Sequence, residues 1–235
     1  MKKYKILFFV LILFIVSGCK SIDQKIDDSR EQVEKDMKEV SNINVDTIKR
    51  DLTYLEANME KKQNENTLIN KLNYLYLLGD ITSNNNSEIK ELADTYFDYL
   101  KDKKKYKNKV NSLLDDIKSN EDELVFKYYS NYVIYEVLGP KINGYKEMNV
   151  DESEEEIIRG INYIAANIED PTKDNEVVDR ISYYSVYLSK CEKDNIKTLG
   201  NNMIIYLTSL KAEDKSNVYK YLNEILLSYN LDLTY

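Results

Sequence analysis

The sequence predicts an all-α protein, either an antiparallel helical bundle or an irregular array of helical hairpins. Three observations carry this. Apolar residues recur at three- and four-residue steps along almost the whole chain, the period of one helix face. Six Gly and two Pro in 235 residues leave too few turn formers for a sheet or barrel built on tight turns. The breaks between periodic stretches are short, four to ten residues, which sets sequential helices side by side.

The first element stands apart from the helical body. Lys2, Lys3 and Lys5 precede an uninterrupted apolar run, Ile6–Val16, of 11 residues. That is too short to span a bilayer as a helix and fits the hydrophobic part of a secretory signal. It ends in Val16-Ser17-Gly18-Cys19. Charged start, apolar core, small residues and Cys, in that order, resemble the bacterial lipoprotein lipobox over about the first 20 residues. The resemblance implies diacylglyceryl transfer to the Cys19 thiol, cleavage between Gly18 and Cys19, and a mature N-terminus carrying acyl chains such as palmitate. Several chains at one residue give stable anchoring. The location implied is the extracytoplasmic face of the cell membrane. Losing residues 1–18 removes three Lys and no acid, and takes the net charge from −8 to −11.

Residues 19–65 read as a charged helical stalk or hairpin beside the anchor, and residues 66–235 as the helical body. In the first part Ile22, Ile26, Val33, Met37 and Val40 form one narrow stripe. Val45, Ile48, Leu52, Leu55 and Met59 form a second, with the 3-4 spacing of a coiled-coil seam. Asn44 is placed to cap this second helix. These two helices either stand out as a stalk or pack on the body.

In the body, Leu68, Leu72, Leu75, Tyr76 and Leu78 precede a turn-rich loop, Gly79–Ser87. Ile89, Leu92, Tyr96, Tyr99 and Leu100 follow, then Val110, Leu113 and Ile117. Leu124–Leu138 is apolar or aromatic nearly all round, which predicts a helix in the middle of the body, stopped or kinked by Gly139-Pro140. Later stripes are Ile157, Ile161, Ile164 and Ile168; Val177 to Cys191; Ile196, Leu199, Met203, Leu207 and Leu210; and Val218, Leu222, Ile225 and Tyr229. A Tyr-Tyr-Ser-x-Tyr match between 128–132 and 183–187 hints at duplication, but helix-pair spacing is too irregular for a solenoid.

Composition removes several chemistries. No His is present, which excludes His-dependent triads, His general bases and His-ligated zinc. Acidic charge argues against nucleic acid as a partner. Gly139–Gly144 has Walker-like glycine spacing, yet Tyr145 stands where the phosphate-binding Lys is needed. Ser87–Lys90 matches S-x-x-K at the frequency chance allows and lacks its companion motifs. The acidic run Asp151–Glu156 lacks the Gly turn of a calcium loop, and Ser153 with Glu156 reads as a capping box. Cys191 continues the stripe of its helix and reads as a buried, inert thiol. The sequence thus predicts no catalytic residue, no metal and no cofactor.

Two features remain open. Lys101, Lys103, Lys104, Lys105, Lys107 and Lys109 form a basic run around Tyr106, a candidate contact for an anionic surface or simply a solvated helix face. The 21 Tyr, among them Tyr54, Tyr96, Tyr128, Tyr132, Tyr184, Tyr221 and Tyr229 at stripe positions, read as core edge with the hydroxyl reaching water, or as a binding surface. The functional expectation is a lipid-anchored, non-catalytic module that binds or tethers a protein or envelope polymer. A receptor for a small ligand or wall glycan with a Tyr-lined cleft is the alternative, and a carboxylate-dependent wall hydrolase a weaker one.

Overall fold

The structure, a computed structural model, describes residues 20–39, 42–61, 64–81 and 87–229. The signal segment, with Gly18 and Cys19, lies outside these residues. Every described element is helical, so the all-α reading holds. The chain divides into two compact units.

The first unit takes in residues 20–36, 49–80 and 87–120 of the described chain. Its helices are α1 (Ile22–Asp36), most of α2 (Val45–Asn58), α3 (Glu65–Asp80), α4 (Glu88–Lys101) and α5 (Lys103–Ser119). Asn44 does cap α2: its side-chain oxygen accepts from the Thr47 N–H at 2.7 Å. Ser87 caps α4 and the Asp102 side chain caps α5, while the Asp102 N–H closes the last turn of α4. α1 packs on α3, α3 on α4 and α4 on α5. Leu52 and Leu55 of α2 are fully buried with Leu72, Leu75 and Leu78 of α3 and Ile89, Leu92 and Tyr96 of α4. On α5 the buried leucine is Leu114, beside Val110 and Ile117, while Leu113 is half-buried.

The second unit holds residues 37–39, 42–48, 81 and 121–229 among those described. It contains α6 (Glu121–Tyr132), a π-helical segment (Val133–Leu138), α7 (Gly139–Tyr145), α8 (Glu154–Asn167), α9 (Asn175–Ser189), α10 (Asp194–Leu207) and α11 (Ala212–Tyr229). α9 is the hub. It packs on α7, α8, α10 and the π segment, and α10 carries α11.

Two expectations about Leu124–Leu138 are corrected here. This segment is not buried all round: Phe126 is 51 % and Tyr135 62 % exposed, while Val125, Tyr128, Tyr132, Val133 and Leu138 face inward. Nor does Gly139-Pro140 stop the helix, which runs on to Tyr145. A proline ring presses on the carbonyl four residues back and offers no N–H to it. The widened turn removes that conflict, with the Gly139 N–H donating to the carbonyl of Ile134, five residues back. A Cβ at position 139 would sit 2.7 Å from that same oxygen, so the glycine makes the turn possible.

Candidate functional site

The residues that converge on one place come from α7, α8 and α9. The Asp174 carboxylate starts α9 by accepting from the Val177 N–H at 2.8 Å. Two turns on, the helix presents Tyr183, Tyr184 and Tyr187. Ser153 caps α8 through its hydroxyl, as its position predicts. The reciprocal half of the capping box is absent, because Glu156 pairs with Arg159 and the Ser153 N–H points at the Tyr187 hydroxyl, 3.4 Å away. Gly160 of α8 then lets the ring of Tyr184 come close: a Cβ there would lie 2.9 Å from the ring.

Five tyrosines meet in this region. Tyr183 packs edge-on against Tyr145 at 5.5 Å and Tyr184 at 5.1 Å, and stacks on Tyr187 at 6.0 Å between ring centroids. Tyr163 lies 5.5 Å from Tyr184, and the Arg180 guanidinium lies 5.9 Å from the Tyr163 ring centre. Each such ring pair adds about 0.5–1.5 kcal/mol beyond area burial. Tyr184 and Tyr187 are buried, whereas Tyr145, Tyr163 and Tyr183 are half-buried at the surface edge. Their hydroxyls are placed for hydrogen bonding. Tyr187 donates to the Asp151 carbonyl at 3.1 Å, and Tyr145 to Asp179, which also takes Lys141 at 2.8 Å.

The electrostatics keep these phenols neutral. Burial raises all five above the usual tyrosine value, with Asp179 adding to the effect at Tyr145 and Glu156 adding to it at Tyr183 and Tyr184. The hydrogen bond from Lys141 holds Asp179 below the ordinary carboxylate value. The cluster therefore offers ring faces and hydroxyl donors, the equipment for stacking and hydrogen bonding.

Other predicted residues fall elsewhere. Cys191, at the foot of α9, is buried, and burial pushes its thiol up to about 11. Tyr96 and Tyr132 are not core-edge residues with hydroxyls in water. Both are buried, and they donate to the carbonyls of Leu55 and Met37 at 3.0 and 2.8 Å. Of the basic run, Lys101 meets Asp23, Lys107 meets Glu60 and Lys109 meets Glu91. Lys103 and Lys105 lie over the rings of Tyr99 and Tyr106, and Lys104 is exposed. Among the described residues no group of His, Cys, Asp or Glu is placed to hold a metal ion, and no helix is long and apolar enough to cross a membrane.

One polar centre in the first unit escaped the sequence reading. Asn73 of α3 is fully buried, accepts from the Arg30 Nε at 3.1 Å and donates to the Ile26 carbonyl at 2.8 Å. The Arg30 guanidinium lies 4.1 Å from the centre of the Tyr76 ring. An Asn between Leu72 and Tyr74 in an apolar helix, and one of only four Arg, were the available signals. No family model, curated protein or solved structure matches the chain.

Proposed function

We propose that this chain is a lipid-anchored helical protein of the extracytoplasmic membrane face that acts by binding a partner held near the membrane. The carrying observation is the order of Lys2, Lys3 and Lys5, the apolar run Ile6–Val16, and Ser17-Gly18-Cys19. A tether at Cys19 raises the local concentration of the body toward envelope partners and so strengthens a weak contact without new interactions. The all-helical body supports this reading, because its polar centres bind one helix to another. The test is metabolic labelling with a fatty-acid precursor in wild type and Cys19→Ala. Label and membrane retention in the wild type, both lost in the variant, are expected; equal labelling refutes the anchor.

The tyrosine cluster on α9 favours one second reading, a glycan or small aromatic ligand as the partner. Half-exposed rings of Tyr145, Tyr163 and Tyr183 beside Lys141 and Arg180 suit stacking with hydrogen bonding. Titration of Tyr183→Ala and wild type with wall-glycan fragments tests it. Equal affinity for the two proteins removes this site.

A further inference from the structure

The basic run and the start of the mature chain are far apart in sequence, yet the fold brings them together. The Lys101 ammonium sits 2.7 Å from the carboxylate of Asp23, in the first turn of α1. Asp23 lies four residues after Cys19, at most about 14 Å of extended chain. Lys103, Lys104 and Lys105, all exposed, follow two to four residues beyond Lys101. We propose that Lys103, Lys104 and Lys105 at the start of α5 form a headgroup-contact surface, held against an anionic bilayer by the acyl tether at Cys19. This rests on the lipid-anchor reading above.

Several observations set these three lysines apart. Carboxylates around the run are already engaged by its other lysines, Asp23 with Lys101, Glu60 with Lys107 and Glu91 with Lys109, while Asp102 and Asp98 act on Lys105. The Asp102 side chain is turned into its own helix, where it caps the Lys105 N–H. The first turn of α5 holds no acid, although the positive end of a helix favours one. Three like charges there cost the helix stability, and a surface of opposite sign recovers that cost. The Lys103 and Lys105 ammonium groups lie over the rings of Tyr99 and Tyr106, 5.7 and 4.7 Å from the ring centres, which fixes where these two charges sit.

Near an anionic membrane each lysine favours contact about fivefold, and with Asp102 offsetting one of them about 25-fold remains. That is too weak for capture from solution. It is enough to choose an orientation once the tether has made the contact intramolecular. The bilayer is favoured over a free wall polyanion because the three lysines sit at the tethered end of the unit.

The chain has no Trp, so Tyr106→Trp places a single reporter beside Lys105. The full-length, acylated protein is reconstituted in vesicles carrying a headgroup nitroxide quencher, with or without phosphatidylglycerol. Quenching several-fold stronger in the anionic vesicles is expected, with loss at high salt and in K103E/K104E/K105E, whose helicity is checked by circular dichroism. Equal quenching in both vesicles, or quenching indifferent to charge reversal, overturns the proposal. Relief of quenching by soluble polyphosphate also overturns it, in favour of a free polyanion. The mass of the N-terminal peptide from the same sample separates two failures. An acylated protein without charge-dependent quenching refutes this surface alone, whereas an unacylated Cys19 refutes the anchor and the surface with it.

Discussion

Replacing Gly200 by Ala tests the packing of α9 on α10 most directly. Within a helix this change by itself stabilises by about 0.5–1 kcal/mol, because glycine loses more backbone freedom on folding. At Gly200 the new Cβ would lie 2.2 Å from the Ser189 amide nitrogen and 2.6 Å from the Leu188 carbonyl carbon, both backbone atoms. Rotation of a side chain relieves neither contact, so the helices must part by roughly 1 Å. A gap of that size forfeits a quarter to a half of each dispersion contact, about 1–3 kcal/mol for one buried leucine. Leu188, Leu199 and Met203 are all fully buried. After the gain in propensity, a net loss of about 2–4 kcal/mol is expected. Gly144→Ala is the control, since nothing lies within 4 Å of its Cβ position. It should gain about 0.5 kcal/mol. Urea unfolding followed by far-UV circular dichroism reads both as shifts of midpoint in opposite directions. Two shifts of the same sign would falsify the claim that α10 touches the α9 backbone at Gly200.

Three other expectations follow from particular contacts. Tyr96→Phe strands the buried Leu55 carbonyl and should cost about 1–3 kcal/mol in the same assay; no loss would mean that water replaces the hydroxyl. Asp51 is 5 % exposed beside Lys71, and burial outweighs the lysine in raising its carboxyl above the ordinary value. Its contribution to stability is then fullest below the ordinary carboxylate value and falls as pH rises through the raised one. Wild type should therefore gain on Asp51→Asn as pH is lowered from 7 towards 4, as judged by urea midpoints; a relative loss on acidification contradicts the burial argument. The Cys191 thiol, buried and raised to about 11, should resist a disulfide reagent at pH 8 in the native state and react fully in urea. Fast native labelling would show that the foot of α9 opens readily.

Helix positions and caps were legible because they are local. Asn44 and Ser153 announce their helices through side chains that compete for free backbone N–H groups, and the stripes of α3, α4 and α9 follow from a 3.6-residue period. What periodicity does not encode is which stripe meets which. Leu124–Leu138 carries more apolar residues than α9, yet α9 is the hub, since the π segment changes the helical phase midway and leaves Phe126 and Tyr135 outside. The tyrosine cluster was hidden for the same reason. Tyr145, Tyr163 and Tyr183 belong to three helices, and the approach of α8 to Tyr184 depends on Gly160, whose sequence position looks like a plain helix weakness. Fully buried Tyr96 was misread as core edge because its acceptor, the Leu55 carbonyl, belongs to the chain's backbone and leaves no trace in residue type.

The π segment between Tyr132 and Gly139 ties two changes into one. Deleting a single residue from 134–137 would return the helix to ordinary winding, but Pro140 would then meet the carbonyl behind it at a cost of about 3 kcal/mol. Pro140→Ala alone leaves the extra residue in place and should be close to neutral. Made together, the two changes yield an unbroken α-helix. Their effects on stability are therefore strongly non-additive, and a chain descended from this one should keep or lose the inserted residue and the proline as a pair.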